Sequence, residues 1–291
     1  MTGPIDFTGK TVLITGAGSG LGRAHALAFA QRGANVVVND PANAETVAAE
    51  INDGGGKAIA HAASVTDGNA VGDMVEIANE AFGSIDILVN NAGILRDKSF
   101  QKMSDGDWRD VIDVHLHGAW TVTHAVWPDM REREYGRIIM TTSSSGLFGN
   151  FGQANYGAAK MALVGMMLTL AIEGEKAGIK VNAVAPIAWT AMTQGLFPPG
   201  TKELMAPENV APALLYLASE DAPQGTILAA GGGAYASVSV SHGTPFALHC
   251  NNSPEALATE MKKRAENGEI SGRQTGPGHT IQMFQAAMPG S

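Results

Sequence analysis

Seven short runs rich in β-branched residues, each separated from the next by a longer Ala-rich stretch, constrain what this chain can fold into more than any other feature. The runs are Thr11–Thr15, Asn35–Asn39, Lys57–Ala62, Ile85–Asn90, Arg137–Thr142, Lys180–Ala185 and Thr226–Ala230. Helix candidates lie between them, at 20–32, 43–53, 67–82, 104–130, 153–177 and 207–219. Runs such as Val36-Val37-Val38 and Ile85-Asp86-Ile87-Leu88-Val89 are mostly apolar on both faces, which suits parallel strands covered by helices on either side. Strict β/α alternation predicts an α/β fold built on a doubly wound, seven-stranded parallel sheet.

Composition narrows the function classes. With 291 residues, 45% hydrophobic and 16% charged, the chain can bury a large core without disulfide or metal staples. Its net charge of −9 argues against nucleic acid, whose phosphates demand clustered Lys and Arg. The single cysteine, Cys250, cannot close an internal disulfide, and no metal-ligand spacing is present, as expected in a reducing compartment. No apolar run approaches the ~20 residues of a membrane span, neither end reads as a signal peptide or peroxisomal address, and the expected location is cytoplasmic.

Past Gly231-Gly232-Gly233 the pattern changes, so residues 1–235 are read as one domain and 236–291 as a C-terminal extension. The segment 236–250 reads as a hairpin or two short strands. Ser253-Pro254 and Asn267-Gly268 bound one helix, with Leu257, Ala258, Met261 and Ala265 as its apolar stripe. The extension is expected to act as a lid over the active-site mouth or as an oligomer contact. Its Lys262-Lys263-Arg264 is either a solvated helix face or a contact for ligand phosphates. Four Lys/Arg balance four Glu after residue 235, so the charge of −9 belongs to the preceding residues.

The first strand runs into Thr15-Gly16-Ala17-Gly18-Ser19-Gly20-Leu21-Gly22 and then a helix. Glycines there let the backbone approach a pyrophosphate, and the helix N-terminus offers it free N–H groups and partial positive charge. Asp40 ends the second strand roughly 20 residues on, the place of a carboxylate that grips the adenosine ribose hydroxyls. A carboxylate repels a 2′-phosphate, so NAD is favoured over NADP; Arg23 is the one neighbouring cation.

Tyr156 and Lys160 are four apart on a predicted helix and share a face. Such a pair is usually structural. Here it follows a dinucleotide loop and Ser143, which ends strand five at the carboxyl edge of the sheet, where ligands bind in such folds. A free tyrosine, with a pKa of about 10, is a poor base at neutral pH, and a nearby ammonium is expected to lower that pKa. The phenolate then exchanges a proton with a substrate hydroxyl as hydride moves to or from a nicotinamide.

With these motifs the chain resembles the short-chain dehydrogenase/reductase family over about residues 7–233. The glycine loop, Asn90-Asn91-Ala92-Gly93, and Tyr156-Gly157-Ala158-Ala159-Lys160 preceded by Ser143 carry the resemblance. It implies a Rossmann-type fold, alcohol/carbonyl chemistry and a homodimer or homotetramer. Tyr156 is the implied acid/base, Ser143 polarises the substrate oxygen, and Lys160 tunes Tyr156 and binds the nicotinamide ribose. Gly16, Gly18, Ser19, Gly20, Leu21, Gly22, Asp40, Ser64, Val65, Asn91, Ala92 and Gly93 are the implied cofactor contacts. Pro186, Ala188, Trp189 and Thr190 join them, although Ile187 stands where the family usually has Gly. His115 occupies the position of a catalytic Asn that acts partly through its backbone carbonyl, kinking its helix; the bland alternative is a satisfied helix histidine.

Segments 90–100, 114–118, and 135–141 with 149–156 resemble more narrowly the branch formed by the (3R)-hydroxyacyl-CoA dehydrogenase units of peroxisomal multifunctional enzymes type 2. That branch also accepts 17β-hydroxysteroids. The expected function is therefore NAD-dependent interconversion of a secondary alcohol and a ketone, with a (3R)-3-hydroxyacyl-CoA as first substrate and a hydroxysteroid or other bulky alcohol as second. A catalytically silent NAD-binding scaffold is the alternative of another class, opposed by the intact Ser143, Tyr156 and Lys160. Met192, Leu196 and Phe197, with Leu204 and Met205, are expected to line the substrate pocket or to pack a lid onto the body.

Overall fold

The computed structural model describes residues 3–193, 195, 197–198, 200–240, 246–248, 253–267 and 276–287. Its strands are β1 (Thr11–Thr15), β2 (Asn35–Asn39), β3 (Lys57–His61), β4 (Ile87–Asn90), β5 (Gly136–Thr141), β6 (Ile179–Pro186), β7 (Ile227–Gly231) and β8 (Ala234–Val238). The helices are α1 (Gly20–Ala30), α2 (Ala44–Asp53), α3 (Gly68–Phe82), α4 (Asp105–Ile112), α5 (Gly118–Glu132), α6 (Ser144–Phe148), α7 (Ala154–Gly174), α8 (Ala211–Ala218), α9 (Pro254–Glu266) and α10 (Gly276–Ala287). The sheet order is β3-β2-β1-β4-β5-β6-β7-β8, parallel from β3 to β7.

All seven expected strands are present, and an eighth is added. β8 runs antiparallel to β7, with Gly231 opposite Ala234. Gly232 and Gly233 take φ of +59° and +80° and fold the chain back within two residues, a turn that favours glycine. A hairpin thus joins β7 and β8, and residues 241–245 and 249–250 of the hairpin expected over 236–250 lie outside the described residues.

Neighbouring residues on each strand feed opposite layers. Val12, Ile14, Val36, Val38, Ile87 and Val89 join one core with α1, α2 and α8. Leu13, Val37, Leu88, Ile138 and Met140 join the other with α3, α5 and α7. Side chains of this size each contribute about 2 kcal/mol when fully buried, which is why these strands carry almost no polar residues. The crossovers place the C-terminal ends of β1, β4, β5 and β6 on one edge, and the order reverses between β1 and β4, opening a crevice there.

The long helix expected over 104–130 is interrupted. α4 starts at a capping box in which Ser104 and Asp107 exchange hydrogen bonds, and Asp113–His117 then forms a π-helical turn before α5. Helix α7 with its following 3₁₀ turn (154–177) is long and apolar enough to cross a membrane, which corrects the reading that no segment is. It lies against the sheet, with Leu163, Val164 and Met167 in the core and Lys160 buried.

The chain forms two compact units. One comprises residues 1–238 and 275–291, the other 239–274. The boundary thus differs from a contiguous extension beginning at 236, because α10 returns to the catalytic unit and packs on α6, β7 and β8. Sequence reading missed α10: Gly276-Pro277-Gly278 depresses helix propensity, and burial of Met283 outweighs it. In the smaller unit, Ser253 caps α9 through the Ala256 amide, as expected. There Arg264 pairs with Glu260 and stacks over Phe246, while Leu257 and Met261 of the expected apolar stripe are exposed.

Candidate active site

The glycine loop is shaped by close approaches that only glycine permits. At Gly16, φ is +62° and a Cβ would lie 2.7 Å from the Ala92 Cα. At Gly18 a Cβ would lie 2.5 Å from the Asp40 Cγ, and at Gly22 it would collide with the Gly16 carbonyl. Thr190 stands over the loop on its other side, 3.4 Å from a Cβ built at Gly20. The loop thus draws together the ends of β1, β2, β4 and β6. Ser19 is the extended N-cap of α1, with no capping hydrogen bond from its side chain, and Leu21 is partly buried behind it. This cradle fits a dinucleotide pyrophosphate.

Asp40 is oriented before any ligand arrives. Its Oδ2 accepts from the Gly18 amide at 3.2 Å, and its Oδ1 accepts from the Ala42 and Asn43 amides at 2.9 and 3.0 Å. Arg23 is directed elsewhere: its Nε donates to Glu50 at 2.9 Å. Ser64 is exposed and bonds Thr66, whereas Val65 is buried against Gly118 at the start of α5.

Asn91, an expected cofactor contact, donates its side-chain amide to the carbonyls of Thr15 and Gly16, at 2.9 and 3.0 Å, and Thr15 Oγ1 accepts from the Asn91 and Ala92 amides. The motif after β4 therefore braces the glycine loop, since both donors of that amide are spent on it. Gly93 is small because the His115 ring occupies the space of a side chain there.

His115 lies in the π-helical turn, 2% exposed. Its Nε2 is within hydrogen-bonding distance of both the amide nitrogen (3.0 Å) and carbonyl oxygen (2.8 Å) of Ile94. Its ring meets Tyr156 edge-on, centroids 5.2 Å apart. Burial and then Lys160 push its pKa down to about 3, so the ring is neutral. A π-helical turn thus interrupts the helix at His115, and the ring's Nε2 is engaged with Ile94 of the loop after Gly93.

Ser143, Tyr156 and Lys160 converge at the C-terminal end of β5. Ser143 caps α6, its hydroxyl accepting from the Ser145 amide at 3.2 Å. Tyr156 and Lys160 lie one turn apart on α7. A Cβ on Gly146 would come within 2.7 Å of the Lys160 Cβ, so α6 and α7 meet at the reacting groups. Lys160 is 3% exposed and donates to the Thr141 carbonyl at 2.6 Å, its Nζ 5.6 Å from the centre of the Tyr156 ring.

The titration of this pair corrects a simple expectation. Burial pushes Tyr156 up to about 12, opposed by a hydrogen bond with Ser143 and reinforced by Asp97. Burial also pushes Lys160 down to about 7. Burial thus dominates the titration of the phenol, and Lys160 is turned toward the Thr141 carbonyl. Tyr156 holds its proton at neutral pH.

Beyond Pro186 the chain bends over the crevice. Trp189 N donates to Met205 O at 2.6 Å, and Thr193 Oγ1 links Ala188 and Thr190. Ile187, in place of the usual glycine, is accommodated by Gly231, where a Cβ would lie 2.8 Å from the Ile187 Cβ. Trp189 stacks on Phe197 at 5.8 Å, Met205 is fully buried, and Met192 is exposed. Leu196 lies outside the described residues. Sequence reading missed the partners of this wall, Met283 and Phe284 of α10, and the His279 of the same helix. Only the His-x-x-x-Met spacing across one helical turn could have signalled them.

Residues 10–199 match the short chain dehydrogenase family. The chain is 50% identical over 231 residues to the peroxisomal multifunctional enzyme type 2 of Mus musculus, a match spanning 76% of this chain and 31% of that protein. It thus spans about a third of that relative's length. It is 40% identical over 225 residues to the 3-oxoacyl-(acyl-carrier-protein) reductase of Thermotoga maritima, covering 73% of this chain and 92% of that one. Among solved structures, a 7α-hydroxysteroid dehydrogenase complexed with NADH and 7-oxo glycochenodeoxycholic acid superimposes with a TM-score of 0.73 at 30% identity, covering 79% of this chain and 95% of that one.

Proposed function

The chain belongs to the short chain dehydrogenase family, and on that premise we propose that it interconverts a secondary alcohol and a ketone using NAD, with a (3R)-3-hydroxyacyl-CoA as substrate. The observation that carries the chemistry is the meeting of Ser143, Tyr156 and Lys160 beside the glycine cradle, on the edge where the strand order reverses between β1 and β4. A bound dinucleotide supplies the hydride acceptor or donor. The glycine loop and Thr190 would hold it, with Asp40 on the adenosine ribose. The Asp40 charge, and the commitment of Arg23 to Glu50, disfavour a 2′-phosphate.

Ser143 orients the substrate oxygen by hydrogen bonding. Tyr156 gives that oxygen a proton on reduction and takes it back on oxidation. Lys160, held by the Thr141 carbonyl, is the neighbour from which charge can compensate the phenolate when it forms. Trp189, Phe197 and Met205 supply an apolar wall for an acyl chain.

Two relatives support a 3-oxygenated acyl thioester: the multifunctional enzyme at 50% identity and the 3-oxoacyl reductase at 40%. A second reading, a hydroxysteroid, is favoured by the charge at the mouth. Arg96 and Lys98, on the loop that packs against the segment before Tyr156, pair with Asp110 and Asp107. They offer no net positive patch to coenzyme A phosphates. Comparing kcat/KM for (3R)- and (3S)-3-hydroxyacyl-CoA and for 7α- and 17β-hydroxysteroids, with NAD and with NADP, tests both readings. Turnover of the (3R)-thioester with NAD is expected; preference for a steroid replaces the first reading by the second, and inactivity toward all of them removes both.

A further inference from the structure

Helix α6 has five residues and carries Ser143 at its N-cap. A helix that short cannot hold its own orientation in water, so its neighbours must set it. On one side Gly146 seats it against Lys160. On the other lies α10. His279 of that helix is 7% exposed, and its Nδ1 is 2.9 Å from the hydroxyl of Ser144, itself 6% exposed. The His279 ring also packs on Phe148, centroids 4.7 Å apart. Ser144 opens α6 and Phe148 closes it, so one imidazole grips both ends of the element that presents Ser143.

The grip is anchored. One turn along α10, Met283 is 5% exposed in an apolar cluster with Ile187, Met205 and Ala229, and Phe284 packs on the same cluster beside Trp189 and Phe197. The same helix therefore touches the strand end that follows β6 and the helix that follows β5, the two sides between which a substrate must enter. Burial lowers the His279 pKa, so the ring is a neutral hydrogen-bonding partner for the Ser144 hydroxyl.

We propose that His279 is a positioning residue: through Ser144 and Phe148 it fixes α6 and so sets the Ser143 hydroxyl against Tyr156, making the C-terminal helix part of the active site. This rests on the dehydrogenase reading for its kinetic consequence, but the grip itself does not.

The test uses the full chain with His279→Ala, His279→Asn, Ser144→Ala and the double variant His279→Ala/Ser144→Ala. Asparagine places an amide near the position of the imidazole Nδ1 and keeps a partner for the hydroxyl. Steady-state alcohol oxidation is followed as NADH, and hydrogen exchange is read on the peptide covering 143–150. His279→Ala is expected to lower kcat about tenfold or more while KM for NAD stays unchanged, His279→Asn to recover most of kcat, and the double variant to be no worse than either single one, as for residues acting through one contact. Exchange over 143–150 is expected to quicken in His279→Ala, Ser144→Ala and the double variant, and not in His279→Asn. If His279→Ala does not fold, Ser144→Ala and His279→Asn carry the same comparison. Full kcat in His279→Ala or Ser144→Ala overturns the proposal, as does additivity in the double variant or quickened exchange with unchanged turnover. If the wild-type protein oxidises no alcohol tested, the dehydrogenase reading fails; unchanged exchange in the variants then separately removes the grip.

Discussion

The Nε2 of His115 stands between the amide nitrogen and the carbonyl oxygen of Ile94, 3.0 and 2.8 Å from them. A neutral imidazole can serve one of these groups in each tautomer, so the ring latches the loop after β4 whichever proton it carries. Replacing His115 by Ala is expected to free that loop, which also braces the glycine loop through Asn91, and to raise KM for NAD together with a fall in kcat. His115→Asn, which keeps a short hydrogen-bonding side chain, is expected to lose less. Gly93→Ala should behave like His115→Ala, because the new methyl displaces the ring. Steady-state kinetics with NAD as varied substrate check all three; a His115→Ala enzyme with unchanged KM for NAD contradicts the latch.

Tyr156 holds its proton up to about pH 12. Oxidation needs the phenolate and reduction needs the phenol. The rate of oxidation is therefore expected to rise close to tenfold per pH unit above neutrality wherever proton transfer limits it, while reduction stays flat across pH 6 to 9. Tyr156→Phe is expected to lower kcat in both directions by about 10²–10⁴-fold. A pH profile of kcat/KM in each direction, and single-turnover rates for the variant, are the measurements.

Asp40 accepts three backbone amides, so its carboxylate is fixed where an adenosine ribose would meet it. Asp40→Asn keeps the shape and removes the charge. Loss of charge-assisted hydrogen bonds worth about 1.5–3 kcal/mol corresponds to roughly 10- to 150-fold weaker use of NAD. Discrimination against NADP should narrow by a similar factor. The ratio of kcat/KM for the two cofactors reads it directly, and an unchanged ratio removes the role given to Asp40.

His25 of α1 is fully buried with neither ring nitrogen bonded among the described residues, and burial pushes its pKa down to about 3. The unfolded chain takes up a proton near pH 6.5 and the folded chain does not until about pH 3. The folded state is thus favoured above pH 6.5 and loses about 1.4 kcal/mol per pH unit as pH falls through that window. His25→Leu, which removes both orphaned nitrogens, is expected to flatten that acid limb and leave stability at pH 8 within about 1 kcal/mol. Urea denaturation at pH 8 and at pH 5 measures the difference.

Much of the sheet was legible in the sequence because parallel strands buried on both faces must be apolar at consecutive positions, as Val36-Val37-Val38 is. The site was legible where spacing forces proximity: Tyr156 and Lys160 one helical turn apart, Asp40 at the end of the strand beside the glycine loop. The start of β8 was missed because its core-facing residues there, Ala234 and Ala236, are small, and its pairing is decided by the two positive-φ glycines before it. Helix α10 was missed because its stability comes from burial of Met283, not from its own propensity.

By itself, then, the chain's order of residues determined the layered α/β architecture, the glycine cradle and the pairing of Tyr156 with Lys160, since each follows from periodicity or from separations of a few residues. Tertiary structure decided the rest: that Asn91 gives its side-chain amide to the glycine loop, that burial holds the proton on Tyr156, and that His279, 135 residues from Ser144, meets it. Those outcomes depend on which distant elements exclude water from a given group, and no local pattern carries that information.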